Sequence, residues 1–167
     1  AMSFLSKFSK LIRNILIHSR QKTIPLSEEI EALKLYAELE QLHAEKQFEF
    51  RINAAINTKN EEVFIPPMMV QPFVENAIKH GVKKISDGLV EVFFRKGPNN
   101  IFCEVSDNGA GIKNTTTEKR NYDKSFALEI ISERLEVLQE VFGQALSLDL
   151  HELKNESGQI AGTRVKI

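Results

Sequence analysis

Ile65-Pro66-Pro67-Met68-Met69-Val70-Gln71-Pro72-Phe73-Val74-Glu75-Asn76-Ala77-Ile78-Lys79-His80-Gly81 is the most informative stretch of this chain. Pro66-Pro67 predicts the start of a helix, because a proline in a first turn lacks only an N–H that would have no intrahelical partner. The helix is expected to run to about His80, with Gly81 as its C′ terminator. Near its end it gathers Glu75, Asn76, Lys79 and His80, and residues 76, 79 and 80 share a face by three- and four-residue spacing. A carboxylate, an amide oxygen and two basic groups suit a metal–phosphate site. Asn76 offers a hard oxygen for Mg2+, which takes few protein oxygens beside phosphate and water. Lys79 can neutralise phosphate charge and Glu75 can accept a proton. Taken alone, a polar face on a surface helix is the simpler reading.

A second stretch, Val105-Ser106-Asp107-Asn108-Gly109-Ala110-Gly111-Ile112, ends a strand in an acid and two glycines. Glycine permits positive φ and close approach of backbone to a ligand. A carboxylate at a strand end can accept a hydrogen bond from an exocyclic amine such as that of adenine. By itself Asp-Asn-Gly is also ordinary turn chemistry.

Between and around these stretches the periodicities are plain. Leu89–Lys96 and Ile101–Ser106 are strands joined by the turn Gly97-Pro98-Asn99-Asn100, hence a hairpin. Residues 107–124 are polar and glycine-bearing, a long loop of the kind that is functional or disordered in compact domains. Phe126, Ile130, Ile131, Leu135, Leu138 and Phe142 predict an amphipathic helix ended by Gly143. Residues 145–153 and 161–167 predict two more strands around the turn at 155–158. Upstream, Phe48, Phe50 and Ile52 alternate with Glu49, Arg51 and Asn53, a half-buried strand, and 54–64 is a connection. Two helices precede it. The first, 4–18, carries the stripe Phe4, Phe8, Leu11, Ile12, Ile15 and a cap at Ser3. The second is expected to be capped by Ser27, with Glu28 and Glu29 where the helix dipole favours acids, and to end near Lys46. Its wide apolar face is Ile30, Leu33, Leu35, Ala37, Leu39 and Leu42. This order predicts an α+β fold, one mixed sheet covered on one face by helices.

Composition agrees with one globular domain: 167 residues, 42% hydrophobic and 27% charged. A net charge of −1 argues against non-specific nucleic-acid binding, which needs a basic surface. The single cysteine, Cys103, excludes an internal disulfide framework and reads as a small buried hydrophobe. No apolar run approaches the roughly 20 residues of a membrane-spanning helix. Ala1 before Met2 reads as a remnant of cloning, so an excised fragment is expected.

In this order the two stretches carry a resemblance. "IPPMMVQPFVENAIKHGV" looks like the N box of the LytS-type sensor histidine kinases, within the wider GHKL ATPase superfamily. "VSDNGAGI" resembles the first glycine box, "GTRVKI" at 162–167 the closing strand, and "IPLSEEIEALKLYAELEQLHAEKQFEF" the stretch leading into the catalytic domain. The resemblance runs from about residue 5 to the C-terminus. It implies a Bergerat-type two-layer α/β sandwich preceded by an N-terminal helix, binding ATP and Mg2+ for phosphoryl transfer. By position, Asn76 would bind Mg2+ and Glu75 would be the polarising acid/base. Lys79 and His80 would lie near the phosphates. Asp107 would accept from the adenine amine, Gly109 and Gly111 would begin the lid, and Thr163 would support adenine. Residues 1–24 would be the remnant of a dimerising, phosphoacceptor hairpin and 25–167 the catalytic domain. The implied partners are a response regulator and a second copy of the full-length kinase. The implied location is cytoplasmic, with the whole protein anchored in the bacterial inner membrane.

The chain departs from the family pattern twice. Where the second glycine box reads roughly Gly-x-Gly-Leu-x-Asn, this sequence has Ser125-Phe126-Ala127-Leu128-Glu129-Ile130. Those glycines let helix N–H groups approach the phosphates, so weaker or differently shaped nucleotide binding is expected, with Ser125 able to cap the helix or touch a phosphate. Second, none of His18, His43, His80 and His151 stands in a Pro-His-Phe-like acceptor motif. A degenerate, non-catalytic nucleotide-sensing or scaffolding module is the alternative.

Overall fold

The computed structural model describes residues 2–56, 63–98, 100–109, 136, 140, 149–157 and 160–166. Helix α1 (Met2–His18) leads through β1 (Ile24–Pro25) directly into α2 (Leu26–Leu42). Strand β2 (Phe48–Ala55) and the short β3 (Phe64–Ile65) follow, with β3 antiparallel to β1. Helix α3 (Gln71–Asn76) continues without a break into a π-helical segment, Ala77–Val82. The hairpin β4 (Gly88–Lys96) and β5 (Ile101–Asp107) comes next, then β6 (Asp149–Lys154) and β7 (Ile160–Lys166).

The main sheet runs β2-β4-β5-β7-β6. Only β2 and β4 pair in parallel; the other described neighbours are antiparallel, so the sheet is mixed. Alternation along β4 decides the faces. Val90, Val92 and Phe94 are buried against the helices, while Phe93 and Arg95 face solvent on the other side. From β5, Cys103 and Val105 join the same core. They meet Leu33 and Ala37 of α2 and Phe73, Val74, Ala77, Ile78 and Val82 of α3 and the π-helical segment, together the site helix. Burial of this kind contributes about 25 cal/mol per Å² of apolar surface, and it holds α2, α3 and the π-helical segment against this face. Cys103 is 2% exposed, as expected of a small hydrophobe.

Several boundaries move from their sequence expectation. Ser27 does not cap α2: the helix begins at Leu26, Pro25 occupies the cap position, and no side-chain cap bond forms. The Leu26 N–H instead donates to the Val63 carbonyl at 2.7 Å. The same helix ends at Leu42 rather than near Lys46. The Gln41 amide donates to the Phe48 carbonyl at 2.9 Å, turning the chain into β2, and Leu42 is left exposed. Pro66-Pro67 does not open a helix; those residues lie in an irregular turn and α3 starts at Gln71 with Pro72 in its first turn. Gly81 is not a terminator, since the π-helical segment carries through it to Val82.

The stripe on α1 is divided. Leu11 is buried, Phe4 packs edge-on to His43 at 4.9 Å, and the ion pairs Lys7–Glu38 (2.7 Å) and His18–Glu28 (2.9 Å) hold α1 against α2. Phe8 and Ile12 point outward with Leu5, Leu16 and Ile17, so α1 keeps an exposed apolar face. The predicted helix 126–142 and the loop 110–124 lie outside the described residues, except that Glu136 and Glu140 are helical and exposed.

Candidate functional site

The candidate site forms where the end of β5 meets the π-helical segment. That segment contains Lys79, His80 and Gly81, and packs on β4, β5 and β7. The Lys83 N–H reaches back five residues to the Ile78 carbonyl at 3.0 Å. Such widened turns occur disproportionately at functional sites.

Gly81 and Gly162 both close on Asp107, and Gly109 closes on Gly81. A Cβ on Gly81 would stand 2.7 Å from Asp107 Oδ1 and 2.8 Å from its Cγ. A Cβ on Gly109 would stand 2.5 Å from Gly81 Cα and from the Gly81 carbonyl oxygen. Gly162 has φ +147°, and a side chain there would overlap the Asp107 carbonyl. Backbone therefore closes on this residue from the helix and from β7, as only glycine allows. Asp107 is 7% exposed, and its Oδ1 accepts the Gly109 N–H at 2.8 Å. Thr163 is its cross-strand neighbour on β7.

Asn108, next to it, stitches the corner shut. Its Oδ1 accepts the Leu89 N–H at 2.7 Å and its Nδ2 donates to the Asp87 carbonyl at 2.9 Å. Asp87 has φ +56°, so this side chain braces a left-handed turn.

The other predicted site residues are placed less tightly. Asn76 is half-buried at the junction of α3 and the π-helical segment. Glu75 and Lys79 form an ion pair with each other, at 38% and 43% side-chain exposure. His80 is exposed. Gly111 and Ser125, with the whole altered glycine box, lie outside the described residues. Among the described residues no three His, Cys, Asp or Glu side chains converge on one point. A cation here would rely on the Asn76 amide oxygen together with phosphate and water, a donor set that suits Mg2+.

Sequence reasoning passed over three contributors. Glu29 is 1% exposed, and its carboxylate accepts the Met68 and Val70 N–H groups at 3.0 and 3.3 Å, just ahead of α3. Asn108 read only as turn chemistry. Gly162 stood inside the quoted "GTRVKI", and a glycine within a strand is itself a signal of close backbone approach.

Comparison with known proteins agrees with this architecture. The histidine kinase family profile matches residues 1–48. The sensor histidine kinase/phosphatase LytS of Staphylococcus aureus is 31% identical over 158 residues, covering 89% of this chain and 26% of the relative. The chain spans roughly a fifth to a quarter of the length of the curated relatives it matches. Among solved structures, the histidine kinase domain of the Erythrobacter litoralis EL346 blue-light activated kinase superposes with TM-score 0.60 at 15% identity, covering 98% of this chain and 78% of that one. Histidine kinase ThkA, solved with response regulator TrrA, gives TM-score 0.53 at 16% identity, over 99% of this chain and 48% of that one. With the mixed sheet, the helices on one face and the Asp107 corner all in place, the chain belongs to the LytS-type sensor histidine kinases.

Proposed function

We propose that this chain is the ATP-binding catalytic domain of a two-component kinase, and that it passes the γ-phosphoryl group of Mg–ATP to a histidine outside residues 1–167. The observation that carries this reading is the close approach of Gly81 to the Asp107 carboxylate, whose Oδ1 also accepts the Gly109 N–H at 2.8 Å. An acid held in one orientation by backbone suits recognition of a single amine N–H. A surface turn has no need of a glycine from a distant helix against its carboxylate. Bound Mg–ATP supplies the transferable phosphoryl group and its charge. The chain's own residues orient and neutralise, which is the larger share of catalysis in phosphoryl transfer. Asp107 and Thr163 would face adenine, Asn76 would offer its amide oxygen to Mg2+, and Gly109 and Gly111 would begin the lid. Lys79 holds one oxygen of the Glu75 carboxylate, which leaves the other able to accept a proton. His80 would lie near the phosphates, and Ser125 would meet them at the far end of the lid.

In the whole protein, residues 1–24 would belong to the dimerising, phosphoacceptor hairpin and 25–167 would form the catalytic domain. The phosphate then passes to a response regulator, as the pairing of ThkA with TrrA suggests. The working protein is a homodimer, cytoplasmic here and anchored in the inner membrane elsewhere. No described helix is long and apolar enough to cross a membrane.

Calorimetric titration of Mg–ATP into wild type and Asn76→Ala tests the reading. Binding by wild type, weakened in the variant, supports it; no binding up to millimolar ATP sinks it. A second reading, a nucleotide-sensing or scaffolding module, is favoured by Ser125-Phe126-Ala127 in place of the glycines. Binding without transfer from labelled ATP, in a longer chain carrying the upstream histidine, selects that module.

A further inference from the structure

Helix α2 meets the site helix at both of that helix's ends. At the entry, buried Glu29 accepts the Met68 and Val70 N–H groups. Met68 has φ 57°, a left-handed conformation that costs a methionine free energy and persists only where surroundings enforce it. No side chain caps α3, so the Glu29 carboxylate is the group that fixes where the helix begins. At the exit, Lys83 follows the last π-helical residue and donates to Glu40 at 3.1 Å. Tyr36 donates to the other Glu40 oxygen, also at 3.1 Å. Glu29 and Glu40 are eleven residues apart on α2, about 16 Å of helix at ~1.5 Å per residue. Midway, the Tyr36 hydroxyl is held neutral well above its ordinary range by burial first, then by the charges of Glu75 and Glu40. Tyr36 therefore stands within electrostatic reach of the candidate acid/base.

We propose that Glu29 and Glu40 are positioning residues: through them α2 clamps the segment from Gln71 to Val82 at both ends and sets where Asn76 and Gly81 stand against Asp107. Its functional consequence rests on the nucleotide-binding reading; its structural consequence does not. A carboxylate that accepts two backbone N–H groups at a strained turn, and another that ties Lys83, leave the helix little freedom to slide or rotate on the sheet.

The test uses the whole chain carrying Glu29→Ala, Glu29→Gln, Glu40→Gln, or the exchange Glu40→Lys with Lys83→Glu. Amide hydrogen exchange is followed over residues 66–84 and over β4 and β5, beside Mg–ATP titration of each protein. Losing a charge-assisted bond should speed exchange across Gln71–Val82 by roughly tenfold while the sheet keeps its protection. Glu29→Gln, which keeps one acceptor oxygen, should fall between wild type and Glu29→Ala, and the charge exchange should restore protection. Mg–ATP affinity should follow, weakening by roughly tenfold in Glu40→Gln and recovering in the exchange. Faster exchange everywhere, or none at Gln71–Val82, overturns the clamp. Local loosening at wild-type affinity overturns its positioning of the site. If Glu29→Ala does not fold, Glu40→Gln and the charge exchange decide. A wild type that binds no Mg–ATP removes the nucleotide reading instead, and the exchange data alone then judge the clamp.

Discussion

Replacing Gly81 by alanine adds one methyl group where the helix touches Asp107. That carbon would stand 2.7 Å from Oδ1 and 2.8 Å from Cγ, well inside the ~3.5 Å of an ordinary contact. Asp107 has little room to yield, because it is 7% exposed and its Oδ1 is held by the Gly109 N–H at 2.8 Å. Gly109 is equally confined, packed against Gly81 itself. Overpacking of this kind costs about 1–3 kcal/mol. Alanine returns about 0.5–1 kcal/mol, since glycine is the poorer residue inside a helix. The clash outweighs the propensity, leaving a net destabilisation of up to about 2.5 kcal/mol and a fall in Tm of up to roughly 10 °C for a domain of this size. On the proposed nucleotide-binding role, displacing the carboxylate would also weaken its hydrogen bond to the adenine amine, so Mg–ATP affinity should drop about tenfold or more. Thermal melting and calorimetry on the same preparation read both effects. A variant that melts at or above wild type and binds Mg–ATP equally well would refute the argument, because propensity alone would then govern position 81.

Other outcomes follow from burial and charge. Phe94→Ala, at 1% exposure in the centre of the sheet, should cost about 3–5 kcal/mol and lower the urea midpoint for the whole domain together. Burial, then the charges of Glu29 and Glu104, push the Cys103 thiol well above its ordinary value of 9.0, so a thiol reagent at neutral pH should react only on unfolding. The same raised values set an alkaline limit. A group that holds its proton more tightly when folded contributes full stability below its unfolded pKa and loses it as pH rises beyond. Stability should therefore decline as pH climbs past about 9 for Cys103 and about 10 for Tyr36. Cys103→Ala and Tyr36→Phe should each flatten that decline in denaturant titrations across pH 8–11; a slope unchanged in both would exclude these groups as its source.

The chain's local patterns decided much of the architecture. Alternation in Phe48–Asn53, Leu89–Lys96 and Ile101–Ser106 marks strands because successive side chains point to opposite faces, a relation that needs no distant partner. The β4–β5 hairpin and the extent of α1 follow from the same short-range rules, and the clustering of Asn76 and Asp107 in recognisable stretches named the candidate site. Tertiary structure decided what those rules cannot see. Pro66-Pro67 read as a helix start, yet Glu29, some forty residues earlier, captures the Met68 and Val70 N–H groups and defers the helix to Gln71. The stripe on α1 read as one face, yet packing on α2 buries Leu11 and leaves Phe8 and Ile12 in solvent. Parallel pairing of β2 with β4 depends on the crossover through α3, not on either strand's composition. Gly81 looked like a helix terminator because glycine commonly is one. Its actual constraint is a carboxylate twenty-six residues downstream, and a close approach between distant segments leaves no mark in the sequence beyond the glycine itself.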